Sequence, residues 1–130
     1  MKVFEPFKIN QMELKNRMVV SAMVTNYCSE DGMATEKFIA YHEYKAKGGG
    51  GLTEDYAVTP TAGGFKKLPG LWEDGQIESY KELTRRIHEA GGKIAAQIYH
   101  AGRETSSAIT GEQPVGPSAL KDPTMPETPR

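Results

Sequence analysis

The chain has 130 residues, 38% of them hydrophobic and 25% charged, with a formal net charge of −1. This is the composition of one ordinary globular domain, and the near-neutral balance offers no basic field for nucleic acid or an anionic membrane. The longest apolar stretch, residues 18–24, is broken by Ser21 and is far too short to span a bilayer; the N-terminus has no signal-peptide core. The single cysteine, Cys28, permits no internal disulfide and points to a reducing, cytoplasmic setting.

In chain order, residues 3–9 are β-rich, and Asn10-Gln11 turns them back into Met12–Leu14 as a short hairpin. Residues 17–24 form a valine-rich run that predicts a strand buried on both faces. Asp31-Gly32 marks a turn, and Thr35 is an N-cap with Glu36 in the first turn behind it. Phe38, Ile39, His42 and Ala46 then share one helical stripe, which the glycines from Gly48 to Gly51 terminate. Residues 52–58 predict a second strand, a poor one with Glu54 and Asp55 in its middle. Neighbouring strand residues face opposite sides, so these two carboxylates cannot act together on one substrate atom.

A loop through Pro60, Gly63, Gly64, Pro69 and Gly70 leads to Asp74, the N-cap candidate of a second helix. Ile77, Tyr80, Leu83, Ile87 and Ala90 give that helix its apolar stripe, closed by Gly91-Gly92. Lys93–Tyr99 is the third strand. Residues 104–130, rich in Pro, Ser and Thr, read as a long loop or frayed end. The order hairpin, β, α, β, α, β implies parallel strands joined by right-handed crossovers. Periodicity does not separate an open doubly wound sheet from a (β/α)8 barrel. The missing G-x-G-x-x-G after the first strand counts against a dinucleotide-binding sheet.

Ligands of parallel α/β folds gather at the C-terminal ends of strands. Those ends hold Ser21 to Thr25, Tyr56 to Pro60 and Gln97 to Arg103. Gln97 offers an amide donor beside an amide acceptor, Ala57 lets a flat ring approach the backbone, and Ala22 and Met23 offer backbone groups. His100 suits an anionic or carbonyl oxygen, and Gly102 permits a sharp exit from the strand. Taken singly, each has an ordinary structural reading. A strand glutamine is usually satisfied by backbone, a strand-end histidine usually packs, and Cys28 has no basic neighbour to activate it. His42 and His88 lie in helices as surface or packing residues. No histidine pair or cysteine cluster has metal-ligand spacing, so no metal site is expected.

Several segments in order carry a family likeness. Val3-Phe4-Glu5-Pro6-Phe7-Lys8-Ile9 and Leu14-Lys15-Asn16-Arg17 resemble the start of Old Yellow Enzyme-type NADH:flavin oxidoreductases. Gln97-Ile98-Tyr99-His100-Ala101-Gly102-Arg103 resembles the family's Q-x-x-H-A-G-R signature, and Gly116-Pro117-Ser118-Ala119 the segment after it. Residues 24–28 and 54–58 look most like the 2-enoate and 2,4-dienoyl-CoA reductase branch. The resemblance implies a TIM barrel of the (β/α)8 type with FMN at its C-terminal mouth. It also implies NADH or NADPH as reductant and a small activated alkene as acceptor. By position it assigns flavin contacts to Ala22, Met23, Val24, Ala57 and Gln97, and substrate contacts to Asn26, Tyr27 and His100.

Four departures from the family stand out. Ala22 replaces a common proline, and Val24 stands where many members have a Cys or Thr near the reactive flavin edge. Gly51-Leu52 runs straight into Thr53-Glu54, two apolar residues short of the family's usual strand. That predicts a strand about 6–7 Å shorter and roughly 3–6 kcal/mol of lost burial. Finally, a complete barrel needs about 250 residues. Residues 1–130 are therefore expected to form the N-terminal part of an incomplete barrel, a hairpin followed by about three βα units. Exposed strand edges would favour an oligomer or association with the missing barrel portion, and a truncated, non-catalytic fragment is the alternative reading.

Overall fold

Phe7–Ile9 (β1) and Met12–Leu14 (β2) pair antiparallel across Asn10, whose left-handed φ of 55° makes the tight reversal. The structure, a computed structural model, describes residues 1–130. Asn16 then ties the hairpin to the sheet. Its Nδ2 donates to the Gly48 carbonyl at 2.7 Å, and its Oδ1 accepts from the Met18 amide at 3.0 Å. At Gly50 a Cβ would lie 2.3 Å from the Met18 carbonyl oxygen, so only glycine passes there.

Val19–Val20 (β3), Gly51–Ala57 (β4) and Lys93–Tyr99 (β5) form one parallel sheet in the order β3-β4-β5. The helices Glu36–Ala46 (α1) and Ile77–Glu89 (α2) connect them. Thr35 caps α1 as expected, its hydroxyl accepting from the Phe38 amide at 3.3 Å and donating to the Tyr27 carbonyl. The stripe expected of α1 is the one buried: Phe38, Ile39, His42 and Ala46. These pack with Cys28, Leu52, Leu83 and Ile87 into the core, between the helices and one face of the sheet. Arg86 of α2 clamps both ends of α1, reaching Glu43 at 2.7 Å and Glu36 at 2.8 Å.

Three expectations need correction. The first barrel strand contracts to Val19–Val20, and Val19 is 56% exposed rather than buried on both faces. Only its helix-side neighbour Val20 meets the core, and beyond Val20 the chain leaves the ladder. Asp74 does not cap α2. It starts a 3-10 turn, Asp74–Gln76, that runs into the helix, and Ile77 is left 46% exposed outside the apolar stripe. The second strand lies one residue earlier than expected, at Gly51–Ala57 in place of 52–58. It keeps seven residues by recruiting Gly51, which pairs with both Val19 and Lys93, and every residue through Ala57 pairs with β5.

The C-terminal segment is a loop with a single helical turn, Ser107–Thr110 (α3). It folds back on itself, the Arg130 amide donating to the Pro114 carbonyl at 2.8 Å. The sheet is open, with no barrel closure: β3 and β5 are both edge strands.

Candidate functional site

The period-2 alternation of β4 separates two environments along one strand. Leu52, Glu54 and Tyr56 face the helices. Thr53, Asp55 and Ala57 face the opposite side of the sheet, where Ala95, Gln97 and Tyr99 of β5 stand beside them in register. Gln97 Nε2 donates to Asp55 Oδ1 at 2.5 Å, which fixes both side chains on that face. Ala57, only 2% exposed, lies toward the C-terminal end of β4 and adds no bulk there. Tyr99 completes the row. Burial, then the Asp55 and Glu104 carboxylates, hold its phenol above the ordinary tyrosine range.

Beyond Tyr99 the chain turns sharply at Gly102, whose φ is 61°. Its amide donates to His100 Nδ1 at 2.9 Å. That nitrogen is therefore the acceptor, so a neutral His100 carries its proton on Nε2 and offers it outward. Ala22, Met23 and Val24 follow the end of β3. Met23 is 55% exposed, and the other two are half-buried. Asn26 sits in the same loop with a left-handed φ of 55°, a conformation asparagine tolerates and most residues avoid. Tyr27 behaves differently from its neighbours. Its ring packs edge-on to Tyr41 at 5.8 Å and beneath the Lys37 ammonium at 3.9 Å, on the side of α1.

The loops at this end are held by Gln76, which sequence reasoning left out, and by Tyr80, which it placed only in an apolar stripe. Gln76, 1% exposed, donates from Nε2 to the Asp31 carbonyl at 2.9 Å and accepts at Oε1 from the Trp72 amide at 3.1 Å. Tyr80 accepts from the Gly70 amide at 2.8 Å and donates to the Gly32 carbonyl. Together they bind the loop after β4 to the loop after β3. The only signal in the sequence was a polar residue one position before an apolar stripe, which is too common to read. Below the sheet, Glu54 and His42 are each 1% exposed, with His42 Nε2 2.9 Å from Glu54 Oε2. The contact lies off the ring N–H axis, and His42 Nδ1 has no hydrogen-bond partner. Burial, and then this same Glu54 carboxylate, push the Cys28 thiol up to about 12, so it is no nucleophile.

Comparison with known proteins gives this arrangement its family. The model of the NADH:flavin oxidoreductase / NADH oxidase family matches residues 2–128, and the chain belongs to that family. It is 36% identical over 122 residues to an NADH oxidase of Thermoanaerobacter brockii, covering 91% of this chain and 19% of that protein. It is 35% identical over 122 residues to an NADPH dehydrogenase of Listeria welshimeri serovar 6b, covering 92% of this chain and 35% of that protein. The solved structure of an Old Yellow Enzyme homologue from Zymomonas mobilis superposes with a TM-score of 0.87 at 29% identity, covering 98% of this chain and 36% of that one. The chain thus spans between a fifth and a little over a third of the length of these relatives. Its fold is part of the barrel seen in the Old Yellow Enzyme structures. No helix is long and apolar enough to cross a membrane.

Proposed function

We propose that this chain supplies the ring-binding N-terminal part of an FMN site, in an oxidoreductase that passes electrons from NADH or NADPH to a small activated alkene. The observation that carries the reading is the shared face of Ala57 and Gln97 at the C-terminal ends of adjacent parallel strands. The residues suit the cofactor. Gln97 keeps its Oε1 acceptor and one amide hydrogen free after bonding Asp55, which matches the N–H and C=O edge of a flavin. Ala57 puts nothing beyond a methyl group on that face, and Ala22, Met23 and Val24 would contribute backbone and apolar contact from the loop after β3.

When bound, FMN would supply hydride transfer between the nicotinamide and the alkene. The protein's own part is binding and electrostatics. His100 would present its Nε2–H to a carbonyl oxygen of the acceptor, and Asn26 would contact the acceptor from the loop after β3, so charge developing on that oxygen meets a positioned donor. Tyr27 would act through the loop that carries Asn26, since its ring is held against α1. Val24 offers no hydrogen bond, so tuning of the flavin at that position falls to backbone groups. A buried thiol and the absence of any disulfide support a cytoplasmic protein.

The open edges of β3 and β5, with Ile98 67% exposed on the helix side of β5, favour association with further barrel strands. A non-catalytic piece that binds itself or another barrel portion is the second reading. One experiment separates the two. The chain is mixed with FMN, freed of unbound ligand and its visible spectrum recorded. The expected result is about one FMN per chain, weakened about tenfold in Gln97→Ala, the equivalent of one lost hydrogen bond. A wild-type chain that retains no flavin supports the second reading instead.

A further inference from the structure

The Asp55 carboxylate lies on the cofactor-facing side of the sheet, is 9% exposed and has Gln97 as its side-chain partner. We propose that Asp55 is a positioning residue that sets which way the Gln97 amide faces. The inference rests on the flavin reading above.

A carboxamide on an exposed strand can flip, exchanging its oxygen for its NH2 at little cost, because the two ends have nearly the same shape. An ionised carboxylate accepts hydrogen bonds and donates none. Next to Asp55, therefore, only the orientation with Nε2 toward Oδ1 forms a bond, and the flipped one sets oxygen against oxygen. The register leaves little alternative, since Asp55 and Gln97 are Cα partners on adjacent strands with side chains on the same face. Backbone pairing along the whole of β4 and β5 holds the two at this separation.

The lock fixes what Gln97 presents. One of its two amide hydrogens goes to Asp55, leaving the other and Oε1 as a donor beside an acceptor. A flavin's imide edge, with its N–H between two carbonyls, pairs with that arrangement, and a flipped amide would set donor against donor. Asp55 also places a negative charge behind the amide. Electron density arriving on a bound ring is thereby disfavoured, so the lock holds the flavin at a lower potential than an uncharged partner would.

The test uses the full 130-residue chain, labelled with 15N and 13C, with Asp55→Asn as an isosteric uncharged variant. In the wild type without flavin, the Gln97 side-chain NH2 is expected to show a through-hydrogen-bond correlation to the Asp55 carboxyl carbon. The Asp55→Asn protein is expected to lose the single orientation and bind FMN about tenfold more weakly, with a more positive flavin potential. Gln97 amide signals at free-amide positions in the wild type, with no such correlation, would overturn the proposal. So would equal FMN affinity and potential in the two proteins. The correlation needs no variant to fold and no ligand to bind. If it is present while the wild type holds no FMN, the flavin reading fails and the Asp55 lock stands.

Discussion

The two faces of the central strand do opposite things with adjacent carboxylates. Glu54 points into the helix layer, 1% exposed and against His42, in a region otherwise filled by Phe38, Leu52, Leu83 and Ile87. Asp55, the next residue, points to the open face and spends its charge on the amide of Gln97. The same functional group, one residue apart, thus belongs to the stability of the fold in one case and to the candidate site in the other. A strand's two-residue period alone produces the division.

The comparison can be broken most forcefully from the dry side. Phe38 is 0% exposed, and Phe38→Ala is expected to cost about 3–5 kcal/mol in urea unfolding, the range for deleting a buried aromatic ring. Glu54→Leu is expected to cost less, about 1–3 kcal/mol, because it removes the polar neighbour of the buried His42 ring and the side-chain acceptor of the Asp55 amide. Adding His42→Leu to that variant should recover most of the loss, since no buried polar ring atom is then left without a partner. If Glu54→Leu cost no more than Gln97→Ala on the open face, less than about 0.5 kcal/mol, the division between the two faces would be wrong.

A pH profile sharpens the same contrast. Burial, reinforced by Glu54, raises the Cys28 thiol from 9.0 to about 12 in the folded chain. The unfolded chain therefore releases this proton first. The stability conferred by the neutral thiol is complete below about pH 9 and is lost as pH rises toward 12. Cys28→Ala should flatten that alkaline limb by up to about 1.4 kcal/mol per pH unit. At pH 8 the native thiol should resist a disulfide reagent that reacts readily once the chain is unfolded. The smallest effect belongs to the open face: Gln97→Ala, at an exposed position, should leave unfolding within about 0.5 kcal/mol of wild type while weakening FMN.

Much of the candidate site was legible in the residues. Strand β5 follows its apolar run without a shift, and Thr35 with the stripe of α1 is local chemistry that hydrogen bonding and periodicity fully describe. The motif around Gln97, His100 and Gly102 placed the candidate site at a strand end, and it also carried the resemblance to the family whose model matches residues 2–128. The errors came where local pattern competed with neighbours. The valine-rich run at 17–24 promised a long buried strand, yet only Val19 and Val20 find partners, because strand length depends on what lies alongside. The glycines before Leu52 looked like a break, and Gly51 became strand because β3 and β5 both pair with it.

The sequence by itself therefore determined the βα alternation, the cap and apolar stripe of α1 and the strand-end signature, all of which depend on residues within a few positions of one another. Only the tertiary structure decided the partners: His42 for Glu54, Gln97 for Asp55, and Gln76 and Tyr80 across the two loops. Each of these joins residues far apart in the chain, and each exists because sheet register and helix packing bring them within a few ångströms. No local pattern encodes a register between two strands, so a polar residue in the sequence shows its chemistry but not the group that will meet it.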